Sequence, residues 1–106
     1  MKQLIKSDKP AYGVSVQFPS PEIVEMIGEL NFDWVMLDAE HGSITADNIG
    51  PMIMAAEIRG LSPIVRPENN DPSVINKYLD RGAMGVQVPH INTADEARAV
   101  VNACLY

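Results

Sequence analysis

Short apolar runs alternate with well-marked helix starts along the whole chain, and this alternation limits the folds open to it more than any other feature. After a polar start (Lys2 to Pro10), Ala11 to Phe18 reads as a strand. Ser20-Pro21-Glu22 then offers an N-cap, a proline for the first helical position and an early acid. The helix is expected to run to about Leu30, with Ile23, Val24, Ile27 and Leu30 at helical spacing and Asn31 as its stop. A second strand, Asp33 to Leu37, follows at once. Thr45 is a candidate cap for the next helix, but Pro51 would clash inside it unless the regular helix starts nearer Asn48. Gly60 after Arg59 ends it. Pro63 to Arg66 forms a third strand, and Pro67 to Asn70 a loop dense in turn residues. Asp71-Pro72 opens a third helix that closes at Arg81-Gly82. Ala83 to Val88 is a fourth strand, and a Thr93/Glu96 capping box starts a last helix running from Ala94 to the terminus.

Strand and helix thus alternate four times with short connections, and right-handed crossovers make the expected sheet parallel and the class α/β. Two architectures accommodate four βα units: a small flavodoxin-like sheet, or the N-terminal half of a (β/α)₈ barrel, whose usual size is about 250 residues. The ending favours the barrel half. Cys104-Leu105-Tyr106 stops at a helix with no capping glycine, as expected of a truncated product or an incomplete sequence. The 106 residues, 46% hydrophobic and 21% charged, suffice for one core and therefore one partial domain.

A net charge of −6, with only eight scattered basic residues, argues against nucleic acid or anionic membrane as a partner. No apolar run approaches membrane-spanning length. The single cysteine leaves no intramolecular disulfide or thiolate cluster, so a reducing cytoplasm is the expected compartment.

Chemistry concentrates where strands end. The second strand runs into Asp38, Glu40 and His41, polar groups that need water, partners or a ligand at a C-terminal strand tip, where α/β proteins place their sites. His41 suits a general base, since both of its protonation states are accessible near neutrality. Asp38 and Glu40 can orient its ring, raise its basicity or contribute to a cation site; the ordinary alternative is a surface loop histidine. Arg66 ends the third strand, placed to grip a carboxylate through paired hydrogen bonds or to form a salt bridge with Asp38, Glu40 or Glu68. Gln87, Pro89 and His90 mark the fourth tip, where Gln87 is expected to satisfy a neighbouring backbone group. Asp71 reads as an N-cap and Asp80 as a solvated helix-end residue.

The blocks Phe32 to Gly42, Pro63 to Pro67 with Asn70-Asp71-Pro72, Leu79 to Ala83 and Val88 to Arg98 together resemble the HpcH/HpaI family of class II pyruvate-dependent aldolases. The resemblance implies a (β/α)₈ barrel of the phosphoenolpyruvate/pyruvate type that assembles as a homo-oligomer and cleaves a 4-hydroxy-2-oxo acid to pyruvate and an aldehyde. It makes His41 the base and has Arg66 bind the 2-oxo acid and stabilise the enolate. It also matches Asp80 to an aspartate that raises the histidine's basicity, and gives Asp38 and Glu40 the support of the base or of metal waters. From the end of the third helix, Asp80 could serve His41 only if that helix stops earlier or the contact comes from a neighbouring subunit.

The family's divalent ion (Mg²⁺, Mn²⁺ or Co²⁺) is held by a glutamate and an aspartate expected beyond Tyr106, so no metal ligand set is expected in this chain. The 106 residues alone are therefore expected to be inactive, since the enolate would lack its main electrostatic stabiliser. The alternatives are a related citryl-type lyase or decarboxylase, and a non-catalytic half-barrel that self-associates or binds a partner through its open edges.

Overall fold

Three helices begin where a side chain can satisfy the free backbone donors of the first turn. In the computed structural model, which describes residues 1–105, the Ser20 hydroxyl accepts from the Ile23 N–H and the Asp71 carboxylate from the Ser73 N–H. The Thr93 hydroxyl accepts from the Glu96 N–H while the Glu96 carboxylate accepts from the Thr93 N–H, a complete capping box. Helices stop where the backbone turns left-handed, at Asn31 (φ 61°), Gly60 (φ 74°) and Gly82 (φ 103°).

The elements are α1 (Lys2–Lys6), β1 (Gly13–Val16), α2 (Pro21–Glu29), β2 (Trp34–Asp38), α3 (Gly50–Ile58), β3 (Ser62–Arg66), α4 (Pro72–Asp80), β4 (Gly85–Val86) and α5 (Ala94–Cys104). The strands form one parallel sheet in chain order, β1-β2-β3-β4.

The first strand is confined to Gly13–Val16, shorter at both ends than the expected Ala11 to Phe18, and three further local expectations need correction. The polar start contains a five-residue helix, α1, which buries no residue and so carries no apolar stripe to be read. Thr45 does not cap α3; its carbonyl accepts from the Asn48 and Ile49 N–H groups in a separate turn, and α3 begins at Gly50 with Pro51 in its first turn. The fourth strand is confined to Gly85–Val86, with single flanking bonds from Met84 to Pro63 and from Gln87 to Val65. Pro89 offers no N–H to continue the ladder, and His90 takes a left-handed backbone (φ 58°) that turns the chain away.

Alternation along the strands gives the sheet two unlike faces. Val16, Val35, Leu37 and Val65 are buried in one core with Val24, Ile27, Met52, Ile53 and Tyr78 of the helices. The other face carries rungs set by the register. Gly13 lies beside Trp34 and Ser62, and Ser15 beside Met36, Ile64 and Gly85. Trp34, Met36 and Ile64 are only half-buried there, and Ser15 is exposed. At the C-terminal end this face turns polar, because Asp38 is in register with Arg66.

Candidate functional site at the C-terminal strand tips

Asp38 organises the site. Its side chain is fully buried at the end of β2, and such a carboxylate persists only when its oxygens are satisfied. Arg66, its neighbour in register on β3, donates through Nε to Oδ1 (2.9 Å) and through Nη2 to Oδ2 (2.5 Å). The backbone N–H groups of Glu40 and His41 also donate to Oδ1, each at 3.1 Å, and Gln17 Nε2 donates to Oδ2 at 3.2 Å. Arg66's hydrogen bonds hold the Asp38 carboxyl down at about 2; burial opposes them, and the His41 N–H and the Gln17 amide add to the lowering.

The same bonds bend the chain after β2 so that Glu40 and His41 face Arg66. Glu40 Oε2 lies 3.2 Å from Arg66 Nε, and Oε1 lies 2.9 Å from His90 Nε2. His41 Nδ1 sits 3.0 Å from Arg66 Nη2 and 3.6 Å from Glu40 Oε2. A guanidinium can only donate, so in this contact Nδ1 is the acceptor and the neutral ring carries its proton on Nε2. The turn is closed by Gly42, at φ 140°, where a Cβ would lie 2.0 Å from the Gln17 carbonyl oxygen. The Ser43 N–H donates to that same oxygen at 2.9 Å.

The structure therefore gathers four of the five predicted site residues, Asp38, Glu40, His41 and Arg66. The salt-bridge alternative for Arg66 is present with Asp38 and Glu40 as partners, whereas Glu68 lines a different cleft. Arg66 keeps its Nη1 donors outside these contacts, as an edge able to meet an anion. Asp80 is placed elsewhere. It is the last residue of α4, exposed, and lines a cleft with Thr45, Asp47, Glu68 and Arg81, so the helix does not stop short of it. His90, noted from sequence only as part of a strand tip, joins the cluster through Glu40.

Asp38, Glu40 and His41 each offer one ligand atom within 4.8 Å of the others, the spacing of a possible metal site. The surroundings do not fit a divalent ion. The Arg66 guanidinium contacts all three groups, so a second cation among them would compete with its charge for the same ligand atoms. Asp38, fully enclosed, has both oxygens occupied by donors.

Comparison with known proteins gives this arrangement a context. The family described as HpcH/HpaI aldolase/citrate lyase matches residues 12–106. A hydroxypyruvate/pyruvate aldolase of Rhizorhabdus wittichii is 38% identical over 98 residues, which are 92% of this chain and 39% of that protein. A 4-hydroxy-2-oxo-heptane-1,7-dioate aldolase of Escherichia coli is 32% identical over 105 residues, covering 99% of this chain and 40% of that one. Among solved structures, the citrate synthase SbnG superposes with a TM-score of 0.89 at 32% identity, over 95% of this chain and 41% of its own. The chain thus spans about 40% of the length of the relatives it matches, and its four βα units correspond to half of a (β/α)₈ barrel.

Proposed function

The chain belongs to the HpcH/HpaI aldolase/citrate lyase family, and from that membership we propose that it carries the base and the anion-binding arginine of an aldolase site. The reaction is retro-aldol cleavage of a 4-hydroxy-2-oxo acid to pyruvate and an aldehyde. The observation that carries this reading is Arg66 meeting Asp38, Glu40 and His41 together at one end of the sheet. The relatives' names, pyruvate and 4-hydroxy-2-oxo acid aldolases, supply the substrate class.

In the proposed reaction His41 takes the proton of the substrate's 4-hydroxyl, directly or through a water. The C3–C4 bond then breaks, the aldehyde leaves, and the electron pair stays with C3 as the enolate of pyruvate. Returning the proton to C3 completes the methyl group. Arg66 binds the 2-oxo acid through its free Nη1 edge and stabilises the enolate charge. Movement of Arg66 toward the acid also releases His41 Nδ1, the lone pair it covers at 3.0 Å. Asp38 keeps the guanidinium aimed, and Glu40 supports it from the second side.

Asp80 acts, in this reading, on the histidine of a neighbouring subunit, which makes the working form a homo-oligomer. The divalent ion implied by the family resemblance, Mg²⁺, Mn²⁺ or Co²⁺, is assigned to residues outside the Arg66 cluster, because that cluster does not fit it. The 106 residues alone are expected to release no pyruvate.

The test joins this chain to the remaining part of a family relative and follows pyruvate release from a 4-hydroxy-2-oxo acid with Mg²⁺ or Mn²⁺. Activity should fall by about a hundredfold or more in His41→Ala and Arg66→Ala. Full activity in both variants would reject the assignment. The likeness to a citrate synthase supports a second reading, a citryl-type carbon–carbon bond reaction using the same enolate chemistry. Substrate profiling of the joined enzyme separates the two.

A further inference from the structure

His90 has no role in the reaction proposed above, yet its surroundings are specific. Its φ of 58° is one that glycine enters freely and an L-residue enters with strain. The strained backbone is clamped at its carbonyl oxygen, which accepts from Asn70 Nδ2 at 3.4 Å and from Asn92 Nδ2 at 3.3 Å. One clamp comes from the loop after β3 and the other from the residue just before Thr93, the N-cap of α5. The imidazole so presented is exposed except where Nε2 lies 2.9 Å from Glu40 Oε1. Glu40 in turn places Oε2 3.2 Å from Arg66 Nε. A turn that only needed to leave β4 would be served better by glycine, which relieves the backbone but has no side chain to reach Glu40.

We propose that His90 is a positioning residue of the site: from the tip of β4 it holds the Glu40 carboxylate against Arg66, and thereby sets the resting position of the guanidinium that covers His41. The contact links the fourth strand tip to the second and third. What the guanidinium so placed does for a substrate rests on the aldolase reading, whereas the positioning itself does not.

The experiment therefore uses the 106-residue chain and needs no turnover. The Arg66 Nε–H proton and nitrogen resonances are recorded by NMR in the unaltered chain and in His90→Gly, His90→Gln, Glu40→Gln and the His90→Gly/Glu40→Gln double variant. Glycine enters this backbone conformation freely, so His90→Gly should keep the fold. Its Arg66 Nε–H resonance should move in the same direction as in Glu40→Gln. The double variant should add nothing further, and His90→Gln, whose side-chain amide has a comparable reach, should restore most of the original position. Should His90→Gly fail to fold, His90→Asn replaces it, since asparagine tolerates the left-handed backbone but is too short to reach Glu40.

An unmoved Arg66 resonance in a folded His90→Gly or His90→Asn chain overturns the proposal, as does a fully additive double variant. Either result leaves the aldolase reading standing. Conversely, loss of that reading in the joined enzyme leaves the His90 measurement unaffected.

Discussion

With its carboxylate buried and its oxygens held by Arg66, Gln17 and two backbone N–H groups, Asp38 is the residue whose loss the site tolerates least. Asp38→Ala should destabilise the chain by on the order of 3 kcal/mol in urea unfolding, because it leaves the Arg66 guanidinium half-buried beside one acid instead of two. The lowered carboxyl also fixes a pH dependence. Its folded value of about 2 lies below the ordinary 3.8, so the unfolded chain binds the proton first as pH falls. The stabilisation is therefore full above about pH 4 and drains away as pH drops toward 2, amounting to roughly 2 kcal/mol. Acid unfolding of Asp38→Asn should lack that part of the slope; an unchanged acid limb would contradict the account. Gly42→Ala should cost several kcal/mol, on the order of a severe core change, since its Cβ would lie 2.0 Å from the Gln17 carbonyl oxygen at a φ of 140°. A thermal melt of that variant is the check. At this scale the sequence displayed Asp38, Glu40, His41 and Arg66 as polar residues ending apolar strands. It did not display their order of contact, because the pairing of Asp38 with Arg66 depends on strand register. His90 stayed without a role for the same reason, as its partner Glu40 is fifty residues away in the chain, on another strand's loop.

Helix starts were legible because their physics is local. Ser20, Asp71 and Thr93 each cap a backbone donor two or three residues on, and no tertiary contact is needed to see it. Thr93→Ala should lower stability by about 1 kcal/mol by removing the hydroxyl half of the capping box; a calorimetric melt no different from the unaltered chain would show that α5 is held by packing alone. Elements whose limits depend on neighbours were harder to read. Ala83 to Val88 has a strand's composition, but pairing is confined to Gly85–Val86 once Pro89 and the turn at His90 intervene. Thr45 has a cap's chemistry, yet Asn48 folds back to accept its N–H and the regular helix waits until Gly50. α1 buries nothing, so hydrophobic periodicity had no signal to offer for it.

Across the whole molecule the two sheet faces are unequal. One is closed by helices, while the other leaves Trp34, Met36 and Ile64 half-buried above parallel edge strands β1 and β4. This is the face a complete barrel turns inward. The chain is expected to self-associate through it, with a sedimentation coefficient that rises with concentration, and Met36→Glu should suppress the rise. A single monomeric species at every concentration would count against an adhesive face. Among the described residues no helix is long and apolar enough to cross a membrane. The parallel sense of the sheet was legible from chain connectivity, whereas the order β1-β2-β3-β4, which fits the barrel half and not a flavodoxin-like sheet, was not fixed by connectivity alone. The crowding of Gly13 beneath the Trp34 ring was not legible. A Cβ at Gly13 would lie 2.0 Å from the indole, and the indole N–H reaches the Ala11 carbonyl oxygen at 3.3 Å. Because Trp34 is the only tryptophan in the chain, its emission belongs almost wholly to the seam between β1 and β2. The molecule thus carries its own optical gauge of whether the first strand has docked, and needs no added dye to report it.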